Sequence, residues 1–337
     1  MPTCFELFKN NLTIMRLVSI EDFRDIYLKT IQRGVRFILS KVSLDNTKRT
    51  KSSFNETNIS SANWWIIPEI RARWNKMITG NSEMTYEEYM SSTVFSGESS
   101  LKMLSIGSGV CTHELSLAEL NPHWDILCID FSNNLIETAK ANAQARGLKN
   151  VQFVAANIYE YQLPDNFFDV VFFHQSLHHF ARIDEFIPHK VMKTLNGNGK
   201  LVINEYVGPS RLQYPQKQLK AISRCIQLTD KPYRRMYKSH LYKTNFYGSG
   251  LLRMIVSDPS ECIDSAAILP TIHKHFNTVY EKPFGGNILM CALKDIAHHY
   301  VEMDPQKSEN LQRMMDFEDQ YLLRNKSDFL FGIYQKR

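Results

Sequence analysis

LKMLSIGSGVCTHELSLAELNPHWDILCID, residues 101–130, is the stretch whose reading decides the fold. A short apolar run at 103–106 enters a glycine turn, Gly107-Ser108-Gly109, and a helical segment follows. A second apolar run, 126–129, stops on an acid, Asp130, 23 residues after Gly107. Strand, glycine turn, helix, strand and acid, in that order, make a unit that binds nucleoside cofactors. The glycines let the backbone approach a ligand closely. The acid stands where a carboxylate can grip ribose hydroxyls.

Outward from this unit the rhythm continues. Ser132 can cap a helix over 133–146 that Gly147 ends. Strands are expected at 151–156, 168–173 and 200–207, the last entered by a turn at Gly197 and Gly199. Pro188 lies in the helix between the last two and predicts a kink there, or a helix beginning near it. Apolar strands alternating with helices imply a parallel sheet covered on both faces. After Gly208-Pro209 the rhythm breaks into a basic, Tyr-rich segment, 210–257, that reads as a helical insertion. Asp258-Pro259-Ser260-Glu261 has a capping-box pattern and predicts a helix start. A sixth strand at 277–284, helices over 288–300 and 308–323, and a last strand at 328–335 complete the series. Upstream, apolar residues at 23, 26, 27, 31, 35, 38, 39 and 42 predict an amphipathic helix over 20–42 packed on the main domain. Residues 43–60 read as a linker or loop. Pro68 and Gly80 fit the two ends of a further helix, preceded by Trp64 and Trp65.

The fold class expected is therefore α/β: a Rossmann-like, doubly wound, seven-stranded and mostly parallel sheet. An antiparallel C-terminal strand, an N-terminal helical cap and a helical insertion are added to it. The expected divisions are 1–60 (helix and linker), 61–100 (helical cap), 101–208 (cofactor-binding core), 209–260 (lid or insertion) and 261–337 (completion of the sheet).

The glycine turn also narrows the cofactor. A dinucleotide site wants G-x-G-x-x-G, but Thr112 holds the sixth position. No Walker-type Lys-Ser/Thr follows, which argues against a phosphate cradle. A sulfonium cofactor has no phosphates and needs only a tight turn, an acid for the ribose and a polar residue for the adenine.

The ordered segments LSIGSG, CIDFS, FVAANIYE, FDVVFFHQSLHHF and NGNGKLVINEYVGP resemble the class I S-adenosylmethionine-dependent methyltransferases, most closely their small-molecule "methyltransferase domain" branch. The resemblance covers about residues 100–208 and implies S-adenosylmethionine as cofactor, with S-adenosylhomocysteine as product. It implies that Gly107, Ser108 and Gly109 face the methionine and ribose part and that Asp130 bonds the ribose. Phe131 would lie beside the adenine, Asn157 and Ile158 at its edge, and His174 near the methionine part. Three positions depart from the family pattern: Ser105 and Asn157 stand where Asp is common, and Cys111 stands where Gly is common. Cysteine is small and can replace that glycine if its φ is negative.

Methyl transfer is an in-line displacement, so the protein mainly positions the acceptor, excludes water and removes a proton. His178 is the expected base, with His179 as rival, because imidazole titrates near neutral pH. Glu205 is a third catalytic candidate, placed to position an amine or hydroxyl. It ends the fifth strand with Tyr206, which is expected to face the same crevice. Trp65 and Arg73 are expected to help close the pocket, Trp65 on the substrate side and Arg73 on the cofactor side. Arg234 and Arg235 are candidates to engage an anionic acceptor.

Composition bounds the rest. At 337 residues, 43% hydrophobic and 22% charged, the chain is globular. No apolar run reaches 18 residues, so no membrane span is expected. Glu6, Lys9 and Arg16 interrupt the N-terminus, so no signal peptide is expected and the localisation expected is cytoplasmic. Six scattered cysteines suggest reduced thiols, and no Cys/His cluster suggests a metal. The net charge of +5 is concentrated at 217–243, where eight Lys/Arg meet one acid, leaving the remainder slightly acidic. Interleaved tyrosines there bring nucleic acid to mind, but with no RNA-binding module it ranks below a small-molecule acceptor. The expected activity is methyl transfer to O or N of such an acceptor. RNA or protein methylation, and cofactor binding without transfer, are the alternatives; a homodimer is left open.

Overall fold

The computed structural model describes residues 15–33, 63–98 and 100–337. The first described helix is α1, Ile20–Arg33. The remainder of the helix expected to residue 42, and the loop expected at 43–60, lie outside the described residues. Helix α1 does dock on the body, but not through its apolar stripe. Phe23, Tyr27 and Ile31 are exposed, whereas Glu21, Asp22 and Asp25 are buried beside Leu28. Helix α2, Pro68–Thr79, begins on its proline and ends on Gly80 in the left-handed conformation, as its sequence predicts. A short helix α3, Tyr86–Tyr89, is set by a true capping box between Thr85 and Glu88.

The core alternates as expected: β1 Leu101–Ile106, α4 Thr112–Leu120, β2 Trp124–Asp130, α5 Asn133–Ala145, β3 Val151–Ala155, β4 Phe168–His174 and β5 Leu195–Tyr206. Between β4 and β5, Pro188 lies in a π-type turn, Ile187–Val191. A proline lacks the N–H that a continuous α-helix would use, so the helix widens there. The insertion contains α6, Gln216–Gln227, and α7, Leu251–Ser257. The stretch between them is largely irregular, held by a bridge of Arg235 to Tyr242, so this part of the expected helical insertion is corrected. Asp258 does not open a helix either. Its carboxylate accepts hydrogen bonds from Ser260 N and Oγ, forming a turn, and the next α-helix is α8, Ile268–His275. Strand β6, Phe276–Gly285, is followed by two short helical turns, Leu289–Leu293 and Ala297–Tyr300, instead of one helix. Asp295, with φ of 67°, breaks them apart. Helix α9, Pro305–Leu322, leads to β7, Phe329–Lys336.

The seven strands form one sheet in the order β3-β2-β1-β4-β5-β7-β6. The first five run parallel, and β7 pairs antiparallel with both β5 and β6. Buried apolar side chains cover both faces, with Met103, Phe172 and Val202 on one and Leu104, Val171 and Ile203 on the other. Strand order reverses between β1 and β4, which opens a crevice at their carboxyl ends. The glycine turn and the SLHH segment after β4 both start there. The five described cysteines are buried and unpaired. No described helix is long and apolar enough to cross a membrane.

Candidate active site

The glycine turn is held by the end of β2. Gly107 N donates to Ile129 O at 2.8 Å, and Gly109 N donates to Asp130 Oδ2 at 2.9 Å. Ser132 N donates to the other oxygen, Asp130 Oδ1, at 2.7 Å. Burial pushes the Asp130 carboxyl up, and these two N–H groups pull it back. Each carboxylate oxygen has two lone pairs and uses one on the backbone, so acceptor capacity remains for ribose hydroxyls. Gly107, Gly109 and Cys111 all have positive φ, 72°, 57° and 57°. The condition of a negative φ at Cys111 is not met: the cysteine adopts the left-handed conformation that favours the family's glycine. A Cβ on Gly107 would come within 2.8 Å of Ser176 Cβ, whereas one on Gly109 would meet nothing within 4 Å. Gly107 therefore lets the β4 turn pack close, and Gly109 leaves open ground above the turn. This shape and donor set fit a nucleoside with an amino-acid tail.

Ser105, where the family often has Asp, is buried and donates to Glu114 Oε1 at 2.6 Å. Glu114 is on α4, so a buried carboxylate stands beside this position, reached from the helix. Burial raises its carboxyl. Next to it is a cluster that the sequence reading did not find. His113 Nδ1 lies 2.5 Å from Glu87 Oε1, and its ring stacks on His174 at 3.6 Å between centroids. His174 Nδ1 is 2.8 Å from the hydroxyl of Tyr86. Burial, and then the His113 charge, hold the His174 ring well below its ordinary range and so neutral. The signal for this cluster was the capping box at Thr85 and Glu88, which presents Tyr86 and Glu87 on one short helix.

The second corner is built on Glu205. Fully buried, it accepts from Ser176 N and Leu177 N through Oε2, and from Tyr206 N through Oε1. His178 Nδ1 lies 2.5 Å from Oε1. Burial disfavours the charged imidazole, but Glu205 outweighs it and raises His178 to about 9. His179 goes the other way, lowered by burial and by the His178 charge. Its Nδ1 is 3.0 Å from Ser260 Oγ, and its Nε2 is 3.9 Å from Glu261 Oε2. Ser176 Oγ donates to Ile106 O, so this whole corner packs directly on the glycine turn.

Other expected site residues have different surroundings. Asn157 is exposed and caps its own turn, donating to Glu160 and accepting from Tyr159 N, while Ile158 is buried. Arg73 forms a two-pronged bond to Asp319 and approaches Glu318, tying α2 to α9. Trp65 is exposed. Tyr206 is buried, and its hydroxyl donates to Pro209 O. Arg234 and Arg235 bond within the insertion, to Thr229 O and Gln227 and to Ser239 O and His240 respectively.

A family model described as "Methyltransferase domain" matches residues 98–303, well over half of the chain. The chain belongs to this family. Its cofactor is S-adenosylmethionine. Among curated proteins, the demethylmenaquinone methyltransferase of Geobacillus stearothermophilus is 34% identical over 71 residues, covering 21% of this chain and 30% of its own length. The uncharacterized methyltransferase YcgJ of Bacillus subtilis (strain 168) is 23% identical over 108 residues, 32% of this chain and 42% of its own length. The chain thus spans between about a third and a half of the length of the curated relatives it matches. A solved phosphoethanolamine N-methyltransferase 2 of Haemonchus contortus is similar over 85% of this chain and 60% of its own, at 14% identity and a TM-score of 0.49.

Proposed function

We propose that this chain moves a methyl group from S-adenosylmethionine to an oxygen or nitrogen of a small-molecule acceptor. The observation that carries the reading is the glycine turn locked to Asp130, with a buried histidine–carboxylate corner packed against it. When bound, the cofactor supplies a methyl group that its sulfonium already makes electrophilic. Gly107, Ser108 and Gly109 receive its methionine and ribose part, and Asp130 accepts from the ribose hydroxyls. Phe131, Asn157 and Ile158 border the adenine, and His174 the methionine end. His178 and His179 hold the acceptor and handle its proton. Glu205 has its oxygens on three backbone N–H groups and one imidazole, so it acts by positioning His178. Residues 63–98 and 209–260 border the acceptor, with Trp65 and Tyr206 toward it.

The demethylmenaquinone methyltransferases among the relatives support a small molecule as acceptor class. The arginines of the basic segment bond to its own residues, which lends no support to nucleic acid. Calorimetric titration with S-adenosylmethionine and S-adenosylhomocysteine tests the reading, and binding of neither overturns it. Binding without turnover on a panel of hydroxyl, amine and quinol acceptors favours a cofactor-binding protein instead. Turnover of RNA or protein alone favours the macromolecular alternative.

A further inference from the structure

We infer that His178, His179 and Glu261 form a site for a divalent first-row transition metal of the zinc class. One ligand atom from each residue lies within 4.8 Å of the other two. Zinc ligands at tetrahedral positions are about 3.3 Å apart, and His179 Nε2 stands 3.9 Å from Glu261 Oε2. The widest of the three separations, within 4.8 Å, reaches that spacing by a contraction of at most about 1.5 Å. The Glu261 side chain, about one-third exposed, can supply it.

The outer layer separates this arrangement from an ordinary ion pair. His178 Nδ1 is engaged by Glu205 Oε1, and Glu205 is itself pinned by Ser176 N and Leu177 N. His179 Nδ1 is engaged by Ser260 Oγ, and that hydroxyl donates to Asp258 Oδ1 at 2.6 Å. Both imidazoles are thus held at Nδ1 by an oxygen fixed by, or belonging to, a carboxylate. This is the arrangement that sets tautomer and ring angle in metal-bound histidines, and it reserves Nε2 for the ion. The two ligand segments are also joined through the backbone, by Ile263 N donating to His178 O at 3.2 Å. Two imidazoles and one carboxylate suit zinc, and three protein ligands leave a position for a further oxygen.

The metal site stands on this geometry; its use rests on the methyl transfer proposed above. The corner packs on the glycine turn through Ser176, and the proposal seats an acceptor oxygen in the open position beside the methyl donor. With the ion bound, both imidazoles act as ligands in place of a base, and an acceptor hydroxyl seated there releases its proton to solvent. Its oxygen then forms the O–CH3 bond as the S–CH3 bond breaks, and that electron pair goes to sulfur.

The test uses the full chain, freed of metal with a chelator and titrated with cobalt(II) chloride. One equivalent is expected, with a visible absorption band that zinc chloride abolishes. E261Q and H179A should each weaken cobalt binding at least tenfold, and S260A by a smaller factor. Unaltered thermal unfolding and S-adenosylmethionine binding in these variants show that the fold is intact. No stoichiometric uptake, or uptake unchanged in both E261Q and H179A, overturns the metal site. Cobalt binding by a wild-type chain that binds no S-adenosylmethionine supports the metal site and overturns the methyl-transfer reading alone.

Discussion

Ser105 and Glu114 show how a family position can change without leaving a gap. A carboxylate at residue 105 would lie at hydrogen-bond distance from the Glu114 carboxylate, and two like charges in a buried site repel. Serine donates instead, and Glu114 keeps a partner. Ser105→Ala removes that donor and leaves a buried carboxylate oxygen short of a bond. The expected cost is about 1–3 kcal/mol in urea unfolding, with Ser105→Asp at least as damaging; a neutral Ser105→Ala would show that Glu114 finds another donor. At the other corner, His178→Ala should lower turnover roughly 10²–10⁴-fold, with S-adenosylmethionine affinity changed only a few-fold by calorimetry. Turnover retained within a few-fold would remove His178 from the chemistry. At this scale the sequence was informative for Gly107, Gly109, Asp130 and the SLHH turn, because short-range spacing reports them. It was silent on Tyr86, Glu87 and His113, which meet His174 only through the fold. It gave Glu261 only a place in a capping box, because the nearby histidines come from a segment more than 80 residues away.

The elements divide in the same way. Strands β1, β2, β4 and β5 were readable because a parallel strand buried on both faces is a continuous apolar run. The stretch 288–300 misled for a related reason. Ile288, Ala292, Ile296 and Tyr300 are all buried, yet two short turns bury them as well as one helix would. Helix α1 is the clearest inversion. Its apolar period is real, but its docked face is acidic: Asp22 accepts from Gly250 N and Arg253, and Asp25 pairs with Lys294 and Arg253. Those partners lie over 220 residues away in sequence, so no local pattern announces them. Burial alone would raise the Asp25 carboxyl, but Lys294 and Arg253 hold it far below the ordinary range. A folded-state pKa depressed in this way adds stability above the ordinary carboxylate range, and that stability is lost as pH falls through the folded value. Asp25→Ala leaves buried cations without their counter-charge, with an expected loss of about 3–5 kcal/mol. The readout is thermal unfolding at pH 7, with hydrogen exchange following α1. An unchanged melting temperature together with unchanged exchange in α1 would show that the apolar residues hold the helix after all.

At the scale of the whole molecule, the sheet is closed by the end of the chain. Strand β7 lies between β5 and β6, paired with Lys200–Tyr206 on one side and Phe276–Gly285 on the other. The turn into it is tied at several points: Gln218 donates to the Asp328 carboxylate, Asp328 N donates to Asn287 Oδ1, and Val207 N donates to Asp328 O. The expected last strand, 328–335, and the antiparallel completion of a seven-stranded sheet agree with this arrangement. Phe329, Leu330, Phe331, Ile333 and Tyr334 are all buried. At about 1.5–3 kcal/mol per large apolar side chain, their loss rivals the roughly 5–15 kcal/mol that stabilises a typical domain. Deleting residues 327–337 would also bare the long edge of β5 next to the candidate site and leave β6 without its only strand partner among the described residues. An uncovered apolar edge pairs with other chains. The truncated chain should therefore collect in the insoluble fraction on expression, whereas the full chain elutes as a folded species. A soluble truncation with cooperative thermal unfolding would show that β1 to β5 form a sheet that stands without its closing strand.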